Sequence, residues 1–364
     1  MFCGSLFPTS LEISHSCGAT PKVNGLIPGI ALISVTALAN GVFSIPLRRR
    51  RRYAVENMWI LGFVAGNFLL PQLAVQFLVP GWMDMLRSAP AGSVLAAMAL
   101  GAGWGVASVF FSQAIARVGV SLGYALIMGL IMVTGSVIPL ARSCPPSAMT
   151  WTLSLAGIAV ALAGVALAGK AGVLRERSQS VASPLERRSS KPFVLGLIFC
   201  VVAGLLSACS NLGYDLLKTA MALRADPNVH PAMASLVPWL PLYWSGPATV
   251  LVISAVQLTR NRTWNRFCGQ GAWHDLRMAG LMAVFFSLTQ LPYGMGAAYM
   301  GKLGTSVGFA ISMILSLVVA NLAGVLLGEW RGADRTAKRT LLAGLACLIA
   351  ATSLLTWASQ LNVT

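Results

Sequence analysis

The sequence predicts an all-α integral membrane protein of about ten transmembrane helices, arranged as two inverted five-helix repeats. Three observations carry that expectation. Of 364 residues, 56% are hydrophobic and only 10% are charged, whereas a soluble chain is about a quarter charged because water must wet its surface. Apolar runs of about 20 residues, enough to cross a hydrocarbon core about 30 Å thick, recur from one end to the other. The basic residues fall in the gaps between those runs, as the cytoplasmic excess of Lys and Arg in membrane proteins requires.

In order, the runs are 25–47, 57–79, 92–114, 120–140, 151–169, 193–214, 236–257, 278–299, 305–328 and 341–357. None alternates apolar and polar residues as a membrane barrel strand does. Residues 1–24 show no basic start followed by an apolar stretch, and read as an N-terminal extension, not a signal peptide. Residues 25–170 form the first five-helix repeat, 171–191 a serine-rich charged linker in the cytoplasm, and 192–358 the second repeat.

Placing the arginine run 48–52 in the cytoplasm and alternating sides puts 20 of the 26 Lys and Arg inside. Lys22, Arg87, Arg142, Lys218, Arg224 and Lys302 remain outside. Both termini are then expected outside the cytoplasm, in a multi-pass protein of the inner membrane. The net charge of +16 therefore points to the lipid bilayer and its inner face, and no nucleic-acid partner is expected.

The halves look related. Arg117 to Met128 aligns with Lys302 to Met313 at an offset of 185 residues, with Gly119, Ser121, Gly123, Ala125 and Met128 matching Gly304, Ser306, Gly308, Ala310 and Met313. Leu155, Ala156 and Gly157 match Leu342, Ala343 and Gly344 at an offset of 187. Because five is odd, such a duplication sets the halves in opposite orientations, as in secondary transporters whose substrate lies near the midplane.

Polar groups inside hydrocarbon cost free energy unless they are bonded or line a wet cavity. Asn40, Gln72, Trp104, Gln113, Asn211, Tyr214, Gln290 and Tyr293 are the candidates for a substrate cavity; Asn67 and Asn321 are also buried in runs. Amides and phenols that both donate and accept, with aromatic faces beside them, suit a neutral solute rich in hydroxyls. The competing reading of each is a bond between helices. Among ten acids only Asp215, next to the outer end of the sixth run, could lie within a span, and Lys218 three residues on suggests a surface helix pair. Glu329 closes the ninth, before Trp330 and Arg331. Asp215 and Glu329 are the proton-coupling candidates.

No catalytic or metal-binding residues and no cofactor are expected. The seven cysteines lack ligand or redox spacing, His15, His230 and His274 lie outside the runs, and no Walker motif is present. The GxGxG at 101–105 sits inside an apolar run and reads as close helix packing, not a nucleotide loop. Pro46, Pro71, Pro139, Pro238, Pro241 and Pro292 mark kinks.

Five stretches in order carry a resemblance: Phe43-Ser44-Ile45-Pro46-Leu47 before the basic run, Glu56-Asn57-Met58-Trp59, Trp104-Gly105, then Arg117 with Gly119, Ser121 and Gly123, and Leu327-Gly328-Glu329-Trp330 with Arg335. On these the chain resembles the L-rhamnose–proton symporter family within the drug/metabolite transporter superfamily. The resemblance implies uptake of a small sugar with protons by alternating access of two halves. One departure stands out: the family's ninth helix opens on a polar and acidic segment, where this chain has Thr305, Ser306 and Val307. The alternative on the same fold is an exporter of metabolites or drugs.

Overall fold

In the computed structural model, residues 25–118, 120–143, 147–179, 190–222 and 229–361 are described. The N-terminal extension and residues 180–189 of the expected linker lie outside them. The described residues form helices and no strand. Ten helices are long and apolar enough to cross a membrane: α1 (Leu26–Leu47), α2 (Val55–Leu78), α3 (Ala91–Phe111), α4 (Leu122–Arg142), α5 (Ala148–Gln179), α6 (Phe193–Met221), α7 (Pro231–Arg260), α8 (Ala272–Tyr299), α9 (Val307–Leu326) and α10 (Arg335–Gln360). They carry large apolar side chains outward, among them Phe77, Leu95, Val252 and Leu342. Helices can do this in lipid because their backbone amides are satisfied internally.

Each expected run maps onto one helix, but several helices are longer. α5 continues to Gln179, ten residues past its apolar part, and α8 starts six residues before Met278, so that His274 lies in its first turn. Apolar runs stop at the first charge, whereas a helix continues through good helix formers such as Lys, Arg and Glu. α9 ends early because Gly328, at φ 80°, turns the chain. α2 holds one π-turn, Ala65–Leu69, directly before Pro71, whose ring cannot supply the next amide hydrogen.

The glycine string separates by function. A Cβ on Gly101 or Gly105 would strike α7, at Ser245 and at the Gly246 carbonyl, whereas Gly103 has nothing closer than 3.7 Å. The outer two permit the α3–α7 crossing, and the middle one is not needed for it.

The packing pairs follow a pattern. α3 packs on α6 and α8 on α1; α4 on α6 and α9 on α1; α3 on α7 and α8 on α2; α4 on α5 and α9 on α10. The pairs α5–α10, α2–α7 and α4–α9 each map onto themselves under the same shift. Advancing every helix by five places returns each of these main pairs, while the smaller contacts α6–α7, α7–α8 and α5–α9 have no counterpart of like extent. Alternation along the chain puts the Arg51–Arg52 turn, Asp275 and Glu329 at one end of the bundle, and Arg142 and Asp215 at the other.

Candidate functional site

α6 carries Asn211, Asp215 and Lys218 at intervals of four and three, on one face of the helix. Asn211 is wholly buried, and its Nδ2 donates to the carbonyls of Gly135 on α4, at 2.7 Å, and Thr305 before α9, at 2.8 Å. Carbonyls only accept, so the orientation of this amide is fixed. Its Oδ1 takes the Tyr293 hydroxyl of α8 at 2.6 Å. One amide thus joins four segments.

Around it stand aromatic rings. Tyr214 stacks on Trp239 at 4.4 Å between centroids, and Trp239 stacks in turn on Tyr243 at 5.6 Å. Tyr293 meets Trp239 and Tyr214 at 6.0 Å and Phe309 at 5.8 Å. The Tyr214 hydroxyl donates to the Gly294 carbonyl at 3.2 Å. Within α7, Pro238 and Pro241 accompany a tight turn at Val237–Trp239, from which Trp239 and Tyr243 enter the group.

Asp215 lies one turn beyond Asn211 and is buried, at 8% exposure. Its Oδ1 accepts from the Thr305 hydroxyl at 2.5 Å, and its Oδ2 faces Arg142 Nη1 at 3.2 Å. The sequence expectation of a surface pair with Lys218 is corrected here. Lys218 Nζ donates to the Ala297 carbonyl at 3.2 Å and lies over the Tyr214 ring, while the cation that meets Asp215 arrives from α4. The i,i+3 spacing gave proximity on one helix but said nothing of a second helix supplying a longer cation.

Of the eight cavity candidates, Asn211, Tyr214 and Tyr293 converge. The others stand apart. Asn40 Nδ2 donates to Ser316 on α9 at 3.1 Å, and Gln72 Oε1 accepts from Trp244 on α7 at 3.0 Å. Trp104 packs on Phe63 at 5.1 Å. Gln113 is exposed and holds Arg117 on its own helix at 2.6 Å, and Gln290 is half-buried on α8. Sequence reasoning did not select Arg142, Trp239, Tyr243 or Phe309. An aromatic pair four residues apart beside two prolines was the available signal for the middle two.

Two of the stretches that carried the resemblance, Glu56-Asn57 and Glu329-Trp330, make their bonds at the Arg51 end. Asp275 accepts from the backbone amides of Arg51, Arg52 and Tyr53 at 2.8, 2.6 and 2.7 Å. Glu56 accepts from Asn261 and Thr263, and Asn57 donates to the Thr263 carbonyl. Burial, with Asp275 and Cys268 nearby, raises the Tyr53 phenol above its usual pKa. Glu329 Oε2 meets Arg175 at 3.1 Å, and the Arg175 guanidinium lies over the Trp330 ring. Glu329 therefore belongs to a clamp between α5 and the α9–α10 turn, far along the chain from the aromatic group. Among the described residues no group of His, Cys, Asp and Glu could hold a metal ion.

The L-rhamnose-proton symport protein (RhaT) family matches residues 22–359. An L-rhamnose-proton symporter of Cronobacter sakazakii is 23% identical over 340 residues, covering 91% of this chain and 97% of that protein. The Escherichia coli O17:K52:H18 protein of the same name is 21% identical over the same shares, and that of Yersinia pestis is 27% identical over 203 residues, 54% of this chain and 57% of that protein. With a match across nearly its whole length, this chain belongs to the L-rhamnose-proton symport protein family.

Proposed function

We propose that this chain carries a monosaccharide, L-rhamnose or a close relative, together with a proton across the inner membrane by alternating access of two inverted halves. It is a secondary transporter, not an enzyme, and its relatives do not favour the exporter alternative. The single observation that carries the mechanism is Asp215, a buried carboxylate held by side chains from α4 and the start of α9, within a group of phenols and an amide. Protonating it removes the charge that holds Arg142. That group faces Arg142 on α4, Thr305 before α9, and Tyr214 and Lys218 on its own helix; Tyr293 on α8 stands beyond Asn211. Thr305 occupies the segment where the family pattern is acidic, and its hydroxyl on Asp215 brings a carboxylate back to that place from α6.

Several observations support the rest of the reading. The packing pairs repeat after an advance of five helices, as two inverted halves and a place in the drug/metabolite transporter superfamily imply. Residues assigned to the cytoplasm meet one another, Arg52 on the Arg266 and Asn265 carbonyls and Arg175 on Glu329, while Arg142 and Asp215, assigned to the outer end, pair together. Asn211, Tyr214 and Tyr293 are the substrate candidates best placed to meet a sugar when the Arg142 end opens.

The test is uptake of radiolabelled L-rhamnose and other monosaccharides into proteoliposomes, with and without an inward proton gradient. Accumulation should follow the gradient in the wild type. In Asp215→Asn, accumulation should fall about tenfold or more while exchange of sugar across the membrane persists, since each 1.4 kcal/mol of lost coupling is about tenfold. Gradient-driven accumulation that survives in Asp215→Asn sinks the assignment.

A further inference from the structure

Two aromatic groups stand toward opposite ends of the bundle and are built alike. On α2, Trp59 and Phe63 lie one turn apart with rings inclined by 24° at 6.0 Å; at the opening of α7, Trp239 and Tyr243 lie one turn apart with rings inclined by 12° at 5.6 Å. α8 supplies a ring to each, Phe286 to the first and Tyr293 to the second. The end of the preceding helix adds Phe43, which packs on Phe286 in the first group, and Tyr214, which stacks on Trp239 in the second. Under an advance of five helices, α2 corresponds to α7 and α1 to α6.

The difference is polar. The α2 group packs its rings with Phe63, so this arrangement of rings needs no hydroxyl. The α7 group carries a phenol and an indole that are wholly buried, and neither Tyr243 Oη nor Trp239 Nε1 has a hydrogen-bond partner among the described residues. Its neighbours are not alike in this, because the Tyr214 and Tyr293 hydroxyls are both bonded. A buried donor without a partner is costly, and most so where lipid excludes water. Two such donors one turn apart are therefore open to a partner that comes in between the rings.

We propose that Trp239 Nε1 and Tyr243 Oη are sugar-recognising groups of the open state, bonding hydroxyls of a monosaccharide whose C–H face rests on the freed indole or phenol ring. The proposal rests on the sugar-transport reading above and adds two residues that decide which solute is accepted. It also explains why the ring group at the Arg142 end is the polar one: it meets the solute, whereas the α2 group only packs.

The experiment compares initial rates of radiolabelled L-rhamnose uptake for the wild type, Tyr243→Phe and Trp239→Phe, each purified by size exclusion and reconstituted. Both variants keep the ring stack. Each should raise KM about tenfold, the equivalent of one hydrogen bond, with Vmax unchanged. Tyr243→Phe should melt at or above the wild-type Tm, because it removes an unsatisfied buried hydroxyl. A purely structural role gives the opposite split, a lower Tm with KM unmoved, and that result overturns the proposal. A deoxy series of rhamnose analogues on the wild type serves as a second arm: one lost sugar hydroxyl should raise KM in the wild type and leave it unchanged in Tyr243→Phe. If no sugar hydroxyl matters to the wild type, the assignment fails on that arm alone. Failure of the wild type to move any monosaccharide overturns the transport reading itself, and this inference with it.

Discussion

Asp215 and Asp275 are both buried carboxylates that join distant parts of the chain, yet they are held by different kinds of donor. Asp275 sits at the first turn of α8 and accepts three successive backbone amides from the turn between α1 and α2, with His274 beside it at 3.1 Å. Backbone donors cannot swing away without unfolding the turn. Asp215 is held by the Arg142 guanidinium and the Thr305 hydroxyl, two side chains that can rotate off it while every helix stays intact. The comparison teaches where a two-state protein can store its switch. Backbone-held carboxylates fix geometry; side-chain-held ones can be released.

The largest effect expected from that contrast is at Asp275. Replacing it by Ala leaves three amide donors without their acceptor, and the buried one, of Tyr53, alone costs about 1–3 kcal/mol, against a total stability of about 5–15 kcal/mol. Asp275→Ala should therefore lower the Tm in detergent clearly, and further than Asp215→Asn does. A variant that elutes and melts like the wild type would show that the turn is held by something else, and would erase the difference between the two acids.

At Asp215 the expected effects divide. Arg142 is nearly half exposed, at 46%, so water takes over much of what the pair provides and its loss costs at most about 1 kcal/mol. Asp215→Asn should leave the elution profile intact and the Tm close to the wild type, while removing gradient-driven accumulation. Arg142→Gln should behave likewise in folding. Glu329→Gln sharpens the contrast from the other end: Arg175 keeps its stack on Trp330, so accumulation under a proton gradient should persist with a modest decrease in Tm. Loss of coupling in Glu329→Gln with coupling retained in Asp215→Asn would move the switch to the opposite end of the bundle.

The fold was legible because its signal is one-dimensional. An apolar run of membrane length has few structures open to it, and each of the ten runs became a helix. Their ends were less legible, since α5 and α8 continue past the apolar part in residues whose helix propensity is good but whose hydropathy is poor. The site was legible in part. Asn211, Tyr214 and Tyr293 stood out as polar groups in greasy surroundings, and they do meet. Asp215 was seen, but its partner was not, because Arg142 reads as one more loop charge until α4 and α6 are packed together. Trp239 and Tyr243 were not legible, because an aromatic side chain in an apolar run does not show by itself whether its N–H or O–H finds a partner. The glutamine candidates show the converse. A polar residue in an apolar run reports only that it needs a partner, and Gln72 found one in Trp244, outside the aromatic group.

The smallest expected effect separates two asparagines that the sequence treats alike. Asn40 on α1 and Asn211 on α6 lie on helices that correspond under the advance of five, each one turn or less before an aromatic ring, Phe43 and Tyr214. Asn40 is half-buried and gives one bond, to a hydroxyl that can also turn to the Ser312 carbonyl it already holds. Asn40→Ala thus loses a single bond of about 0.5–1.5 kcal/mol and orphans nothing. Asn211→Ala strands two buried carbonyls and the Tyr293 hydroxyl, and leaves the start of α9 tied to α6 through the Thr305 hydroxyl on Asp215 alone. Its Tm should fall several times further than that of Asn40→Ala, and Tyr293→Phe in the Asn211→Ala background should restore part of the loss by removing the stranded hydroxyl. Equal effects for the two asparagines would mean that the polar group at the Arg142 end is no more tightly held than its counterpart, and the asymmetry between the ends would then have to come from the ion pair alone.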